Sequence, residues 1–299
     1  MSALAEPLPP TTGVDASLVF RAFEAPLGAE VLGLRLDRPL PEHAFRAVHR
    51  AHLDHHVLVF RGQQAVTPQQ QIDFSRRFGP LQIHVLHQFG LAGHPEILVV
   101  SNIVEQGQPV GLGDAGHYWH SDLSYKERPS LGSMLLAQEL PAEGGDTLFA
   151  NQHLAWAALP VALKRAVAGR QAEHSYLCKY EALRARSPWR PKLSEAQVAA
   201  VPPVRQPVVR THPETGRAAL FVSEHFTTRI VGLPEDESRA LLAELFAHST
   251  RPEFVYRHRW QPGDMVFWDN RSVMHLAAGC PPEQRRRLHR TTIEGDRPF

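Results

Sequence analysis

Short runs of β-branched and aromatic residues outnumber helical segments in this chain and do not alternate with them. Extended stretches are expected at residues 30–36, 57–60, 97–103, 134–138, 208–212, 219–223, 254–260 and 265–268, each bounded by turn-forming residues. Pro213-Glu214-Thr215-Gly216 reads as a hairpin turn between two of them. Helical signals are fewer. Pro41 precedes an apolar face of Phe45, Val48 and Ala51, and Thr67 with Gln70 forms a capping box around Pro68. A third helix is expected over residues 154–167 and a fourth over 235–248, with Leu241, Leu242, Leu245 and Phe246 on one face. The pattern predicts a mainly β fold with flanking helices, a β-sandwich or jelly roll, and disfavours a parallel α/β sheet, in which strands and helices alternate. A jelly roll also offers a concave mouth for a ligand.

With 299 residues, 43% of them hydrophobic, the chain can bury one large core. Residues 1–14, with three prolines, read as a flexible tail, leaving 15–299 as a single domain. Thirty-two basic residues against 31 acidic ones leave a formal charge of +1, which argues against nucleic acid or an anionic membrane as partner. Cys178 and Cys280 are too few for a disulfide framework. The first residues lack a basic start and an apolar core, and no apolar run approaches a membrane span, so a cytoplasmic location is expected.

The 18 histidines invite a metal reading, but only their arrangement can decide it. In Tyr118-Trp119-His120-Ser121-Asp122-Leu123-Ser124-Tyr125 the alternation suits an extended strand, where residues i and i+2 share one face about 6–7 Å apart. His120 and Asp122 could then reach one ion. A second match, His52-Leu53-Asp54, falls on a helix, where i and i+2 diverge, and is read as a decoy. Further on, an apolar strand from Val266 runs into a turn containing Asn270, after which the chain presents His275. Taken singly, His275 could be a core histidine bonded to a backbone carbonyl. Two imidazoles and one carboxylate, however, form the set that suits non-haem iron(II) and leaves coordination positions open for oxygen.

Four ordered motifs, WHSD, GGDTLFAN, WDNRSVMH and RRRLHRTTIEGD, closely resemble the taurine dioxygenase and 2,4-dichlorophenoxyacetate dioxygenase family, with the likeness running from about Ala29 to the C-terminus. The resemblance implies a double-stranded β-helix (jelly roll, cupin-like) that couples decarboxylation of 2-oxoglutarate to oxidation of an unactivated carbon by O2, giving succinate and CO2. It implies that His120, Asp122 and His275 hold Fe(II). Arg286 and Thr147 would bind the distal carboxylate of 2-oxoglutarate, the planar guanidinium accepting it in two parallel charge-assisted bonds. Arg290 falls where the family has an arginine beside the iron, directed at 2-oxoglutarate or at the anionic group of the prime substrate. His84 falls where the taurine enzymes have a sulfonate-binding histidine. Trp119, Phe149 and Phe267 are candidates for dry walls.

Two positions depart from the taurine pattern: Gly116 replaces an asparagine and His87 replaces a tyrosine. A site built on specific donors discriminates when one is missing, so the prime substrate is left as a small anionic compound, whether sulfonate, sulfate ester or carboxylate. The resemblance further implies a homo-oligomer, dimer or tetramer. Two other readings use the same residues: a zinc or nickel jelly-roll hydrolase or isomerase, and a non-catalytic binder of a metal or small anion.

Overall fold

In Val57–Phe60 all four side chains are buried, and the alternation along the strand decides against what. Val57 and Val59 join one apolar cluster, whereas Leu58 and Phe60 join another. The neighbouring strands repeat the division: Val266, Trp268, Leu135 and Ala137 share the first cluster, Met265, Phe267, Met134 and Leu136 the second. Successive side chains of a strand point to opposite faces, so this sheet is covered on both sides.

The computed structural model describes residues 14–187 and 190–299. Of the expected tail, residues 1–13 lie outside the described residues, and a strand opens at Val14. The main sheet has eight strands, in the order Val14–Ala22, Ala29–Leu34, Val57–Phe60, Met265–Asp269, Ser130–Glu139, Arg287–Glu294, His94–Ser101 and Gly90–Leu91. Pairing is antiparallel except between Ala29–Leu34 and Val57–Phe60. A smaller antiparallel sheet, Val255–His258, Thr147–Asn151 and Val273–Ala277, supplies Phe149 and Val273 to the same inner cluster. The result is the expected jelly roll, two packed sheets without a closed barrel.

The outer face of the main sheet is covered by Val48 and Ala51 of the helix Glu42–His55 and by Phe74 of the helix Pro68–Arg76. Both halves of the Thr67/Gln70 capping box are formed. The helix expected over 154–167 is two helices, Gln152–Ala158 and Val161–Val167, because Pro160 lacks the amide a continuous helix needs. Together with Leu242 and Leu245 of Glu235–Ser249 they close a third apolar cluster. The hairpin around Pro213–Gly216 is present, pairing Val209–Thr211 with Ala218–Leu220. No described helix is long and apolar enough to cross a membrane.

Candidate metal centre and its two chambers

The candidate metal ligands His120 and His275 and the candidates Thr147, Arg286 and Arg290 line one space between the two sheets. In Arg287–Glu294 and the residue before it, Leu288 packs into the inner cluster, so Arg286 and Arg290, two residues to either side, are directed the same way. Two guanidiniums are thereby buried between the sheets, each only 8% exposed. On the small sheet Thr147 lies directly opposite Ala277, and Phe149 opposite His275.

The segment expected as a strand around His120 is only a single bridge. His120 exchanges two backbone bonds with His275 (N to O, 3.1 and 2.8 Å), which brings the ring centroids to 4.1 Å. The chain then turns sharply, with Leu123 in the left-handed region at φ 58°. Asp122 opens this turn, so the pair sits on no regular strand. His120 Nε2 lies 3.6 Å from one Asp122 oxygen and His275 Nε2 3.8 Å from the other. The three buried residues offer ligand atoms that all lie within 4.8 Å of one another.

The chemistry of these donors fits a divalent metal. His120 Nδ1 lies 2.8 Å from the Tyr118 carbonyl, which can only accept, so Nδ1 carries the proton and Nε2 a free lone pair. Burial, then the neighbouring His120, push the His275 imidazole well below its usual pKa, leaving it neutral. Its Nδ1 has no partner among the described residues, while Trp268 and Phe149 cover the ring at 4.7 and 6.1 Å. For Asp122, burial alone would raise the pKa, but the Arg290 guanidinium, the largest opposing influence, holds the carboxyl well below the usual range. An ionised carboxylate beside imidazole nitrogens is the donor set a divalent cation takes.

Ser133 and Asn270, to which the sequence reading gave no role, hold Asp122 in place together with Arg290. Ser133 Oγ donates to Asp122 Oδ2 at 2.7 Å, and Arg290 Nη1 to Oδ1 at 3.0 Å. Asn270 accepts from the Asp122 amide (3.1 Å) and the Trp268 indole (3.1 Å), and donates to Ser130 Oγ (3.0 Å) and, at 3.5 Å, to Asp122 Oδ2. Behind this turn, buried Asp269 receives Arg271 through two bonds of 2.8 Å and lies 3.0 Å from His212 Nε2. The only sequence signal for this network was the polar turn interrupting an apolar run.

Two chambers open from the centre and share Gly116, His120 and Arg290. One, of about 380 Å³, reaches Thr147 and Arg286 over a floor of Val100, Leu135 and Trp268. Arg286 spends one bond on the Gly145 carbonyl (3.1 Å), and its Nε has no partner among the described residues. Burial lowers its pKa to about 10, so it remains a cation at neutral pH. Thr147 Oγ1 accepts from the Trp260 indole at 3.1 Å, which leaves its own proton to donate. The other chamber, of about 520 Å³, lies on the far side and is lined by His84, Tyr125, Tyr176, Arg190, His225 and Phe226 among others. His84 Nδ1 accepts from the Leu86 amide (3.1 Å), so its proton sits on Nε2. Burial, then Arg290, push its pKa to about 3.

Two expectations, the dry-wall roles of Phe267 and Trp119, are corrected. Phe267 faces the outer helices, stacked on His52 at 3.7 Å, because it alternates with inward-facing Trp268. Trp119 lines neither chamber, and it is Trp268 that walls the first. His87 is exposed on a short turn away from both. At Gly116, φ is 78° and an added Cβ would stand 3.3 Å from the His120 ring, so an asparagine there would be strained and crowd the centre. The helical His52-Leu53-Asp54 match does diverge, with His52 buried and Asp54 exposed.

Residues 7–292 match the family model described as Taurine catabolism dioxygenase TauD, TfdA family. The chain is 39% identical over 307 residues to the alpha-ketoglutarate-dependent 2,4-dichlorophenoxyacetate dioxygenase of Cupriavidus pinatubonensis, covering 99% of both chains. Among solved structures it is similar to a taurine dioxygenase from Burkholderia xenovorans (TM-score 0.76, 33% identity, 95% of this chain and 93% of that one). It is also similar to AAD-2 in complex with Mn(II) and N-oxalylglycine (TM-score 0.80, 31% identity, 94% of this chain and 98% of that one). With its two-histidine, one-carboxylate centre set between two packed sheets, the chain belongs to the TauD, TfdA family of dioxygenases.

Proposed function

We propose that this protein is an Fe(II)- and 2-oxoglutarate-dependent dioxygenase that hydroxylates a small anionic organic compound, a sulfonate, sulfate ester or carboxylate. The observation that carries this reading is the convergence of His120, Asp122 and His275 beside a buried, under-used Arg286. These three residues would hold the iron; bound with 2-oxoglutarate and O2, it supplies the oxidising chemistry, with succinate and CO2 as co-products. The similar structure that holds both Mn(II) and the oxo diacid N-oxalylglycine supports the pairing of a metal with a diacid.

The protein's own contribution is binding, orientation and exclusion of water. Arg286 and the Thr147 hydroxyl grip the distal carboxylate of 2-oxoglutarate. Trp268, Leu135 and Val100 keep that chamber dry. Arg290 balances the charge of Asp122 and, with the neutral Nε2–H of His84, faces the second chamber, where the substrate anion is taken. We assign residues 15–299 to one dioxygenase domain, the location to the cytoplasm and the assembly to a dimer or tetramer.

The test is an anaerobic optical titration with Fe(II) and 2-oxoglutarate, followed by sulfonates, alkyl sulfates and aryloxy acids. A visible charge-transfer band that shifts with one of these anions is expected, as is succinate formation on admitting air. Activity with Zn(II) or Ni(II) alone would favour a hydrolase or isomerase, and metal binding without turnover would favour a binding protein.

A further inference from the structure

Tyr125 follows the Asp122 turn and borders the larger chamber while remaining only 2% exposed. Its ring is fixed by Tyr176 at 4.8 Å and Phe226 at 4.9 Å between centroids. Its hydroxyl, by contrast, finds no hydrogen-bond partner among the described residues. Tyr180, which borders the same chamber, donates to the Pro191 carbonyl at 2.8 Å. Folded proteins leave few buried hydroxyls unmet, because an unpaired one loses its water without compensation. Phenylalanine would fill the same ring space without that cost.

What the hydroxyl can meet is set by its surroundings. His84 presents a neutral N–H, and Arg290, anchored on Asp122, has an Nε without a partner. Both are donors and both border the same chamber. We propose that the Tyr125 hydroxyl is a specificity-determining donor of the prime-substrate site, bonding an oxygen of the substrate's anionic group alongside His84 and Arg290. This rests on the reading of the protein as a dioxygenase of small anions. Burial holds the phenol well above its usual pKa, so it donates at every workable pH.

Tyr125→Phe removes the oxygen and keeps the ring. Phenoxyacetate, octyl sulfate and pentanesulfonate serve as probes, titrated calorimetrically and without oxygen into wild type and variant loaded with Fe(II) and 2-oxoglutarate. At least one probe is expected to bind wild type and to weaken by about 10-fold or more in the variant, the loss of a hydrogen bond to a charged group. Affinity for 2-oxoglutarate should hold, and the melting temperature should stay level or rise. Equal probe affinity in the two proteins overturns the role of Tyr125 alone, as does a parallel loss of 2-oxoglutarate affinity. Failure of every probe to bind wild type overturns the small-anion reading, and this inference with it.

Discussion

Replacing Arg286 by alanine isolates the grip on 2-oxoglutarate. In the structure this guanidinium makes one side-chain bond, to the Gly145 carbonyl, and lines the chamber it shares with His120 and His275. A hydrogen bond to a charged group contributes about 1.5–3 kcal/mol, so losing even one weakens 2-oxoglutarate binding by about 10- to 150-fold. Thr147→Val removes a neutral hydroxyl and should cost about 0.5–1.5 kcal/mol, or roughly 2- to 12-fold. Because both hold the same carboxylate, the double variant should lose less than the sum of the two. Arg286→Lys should recover only part of the loss, since an ammonium lacks the planar fork. The assay is anaerobic calorimetry of 2-oxoglutarate binding to metal-loaded protein, with prime-substrate affinity measured in parallel and circular dichroism confirming the fold. A loss under two-fold, or an equal loss for both ligands, would refute this placement of the co-substrate.

Ser133→Ala deletes the 2.7 Å bond to Asp122 and should weaken Mn(II) affinity about 10- to 100-fold, the usual effect of losing a partner that orients a metal ligand. Unchanged affinity would remove Ser133 from that role. Asp269→Ala removes two side-chain bonds of the buried Arg271, leaving Glu214 at 2.6 Å as its carboxylate partner, and should cost about 3 kcal/mol in urea unfolding, the lower end for breaking a buried ion pair; a cost under 1 kcal/mol would contradict the assigned role of the pair. Acid should destabilise the metal-free protein. His52, His56 and His174 are pushed down to about 3 and His153 to about 4, first by burial, so the unfolded chain binds protons that the folded one refuses. Stability is complete above the unfolded value near 6.5 and falls as pH drops toward the folded values, by up to about 1.4 kcal/mol per pH unit for each histidine. A melting temperature that stays level from about pH 7 to pH 5 would contradict this.

The readable parts of the sequence were those where local pattern and final environment agree. Apolar runs such as Val57–Phe60 and Met265–Asp269 overlap observed strands, because their side chains are buried on both faces. The strands that carry the site, Thr147–Asn151, Val273–Ala277 and Arg287–Glu294, were not read as strands. The last places Arg290 where a strand pattern calls for an apolar residue, and such local violations gather at functional sites. Strand alternation suggested a shared face for His120 and Asp122; the two do lie 3.6 Å apart, but His120 forms only a single bridge to His275 and Asp122 stands in the turn that follows. Ser133 and Asn270 gave no signal of their own because their role depends on a fold that brings distant turns together. Tyr125 became notable only once its hydroxyl proved to lack a partner.

Diffraction from crystals soaked anaerobically with Fe(II), collected across the iron absorption edge, would locate the ion itself. The account predicts one dominant anomalous peak in coordinating contact with Nε2 of His120, Nε2 of His275 and the carboxylate of Asp122, lost in a His275→Ala crystal that is otherwise superimposable. A peak elsewhere, or one that survives the substitution, would contradict it.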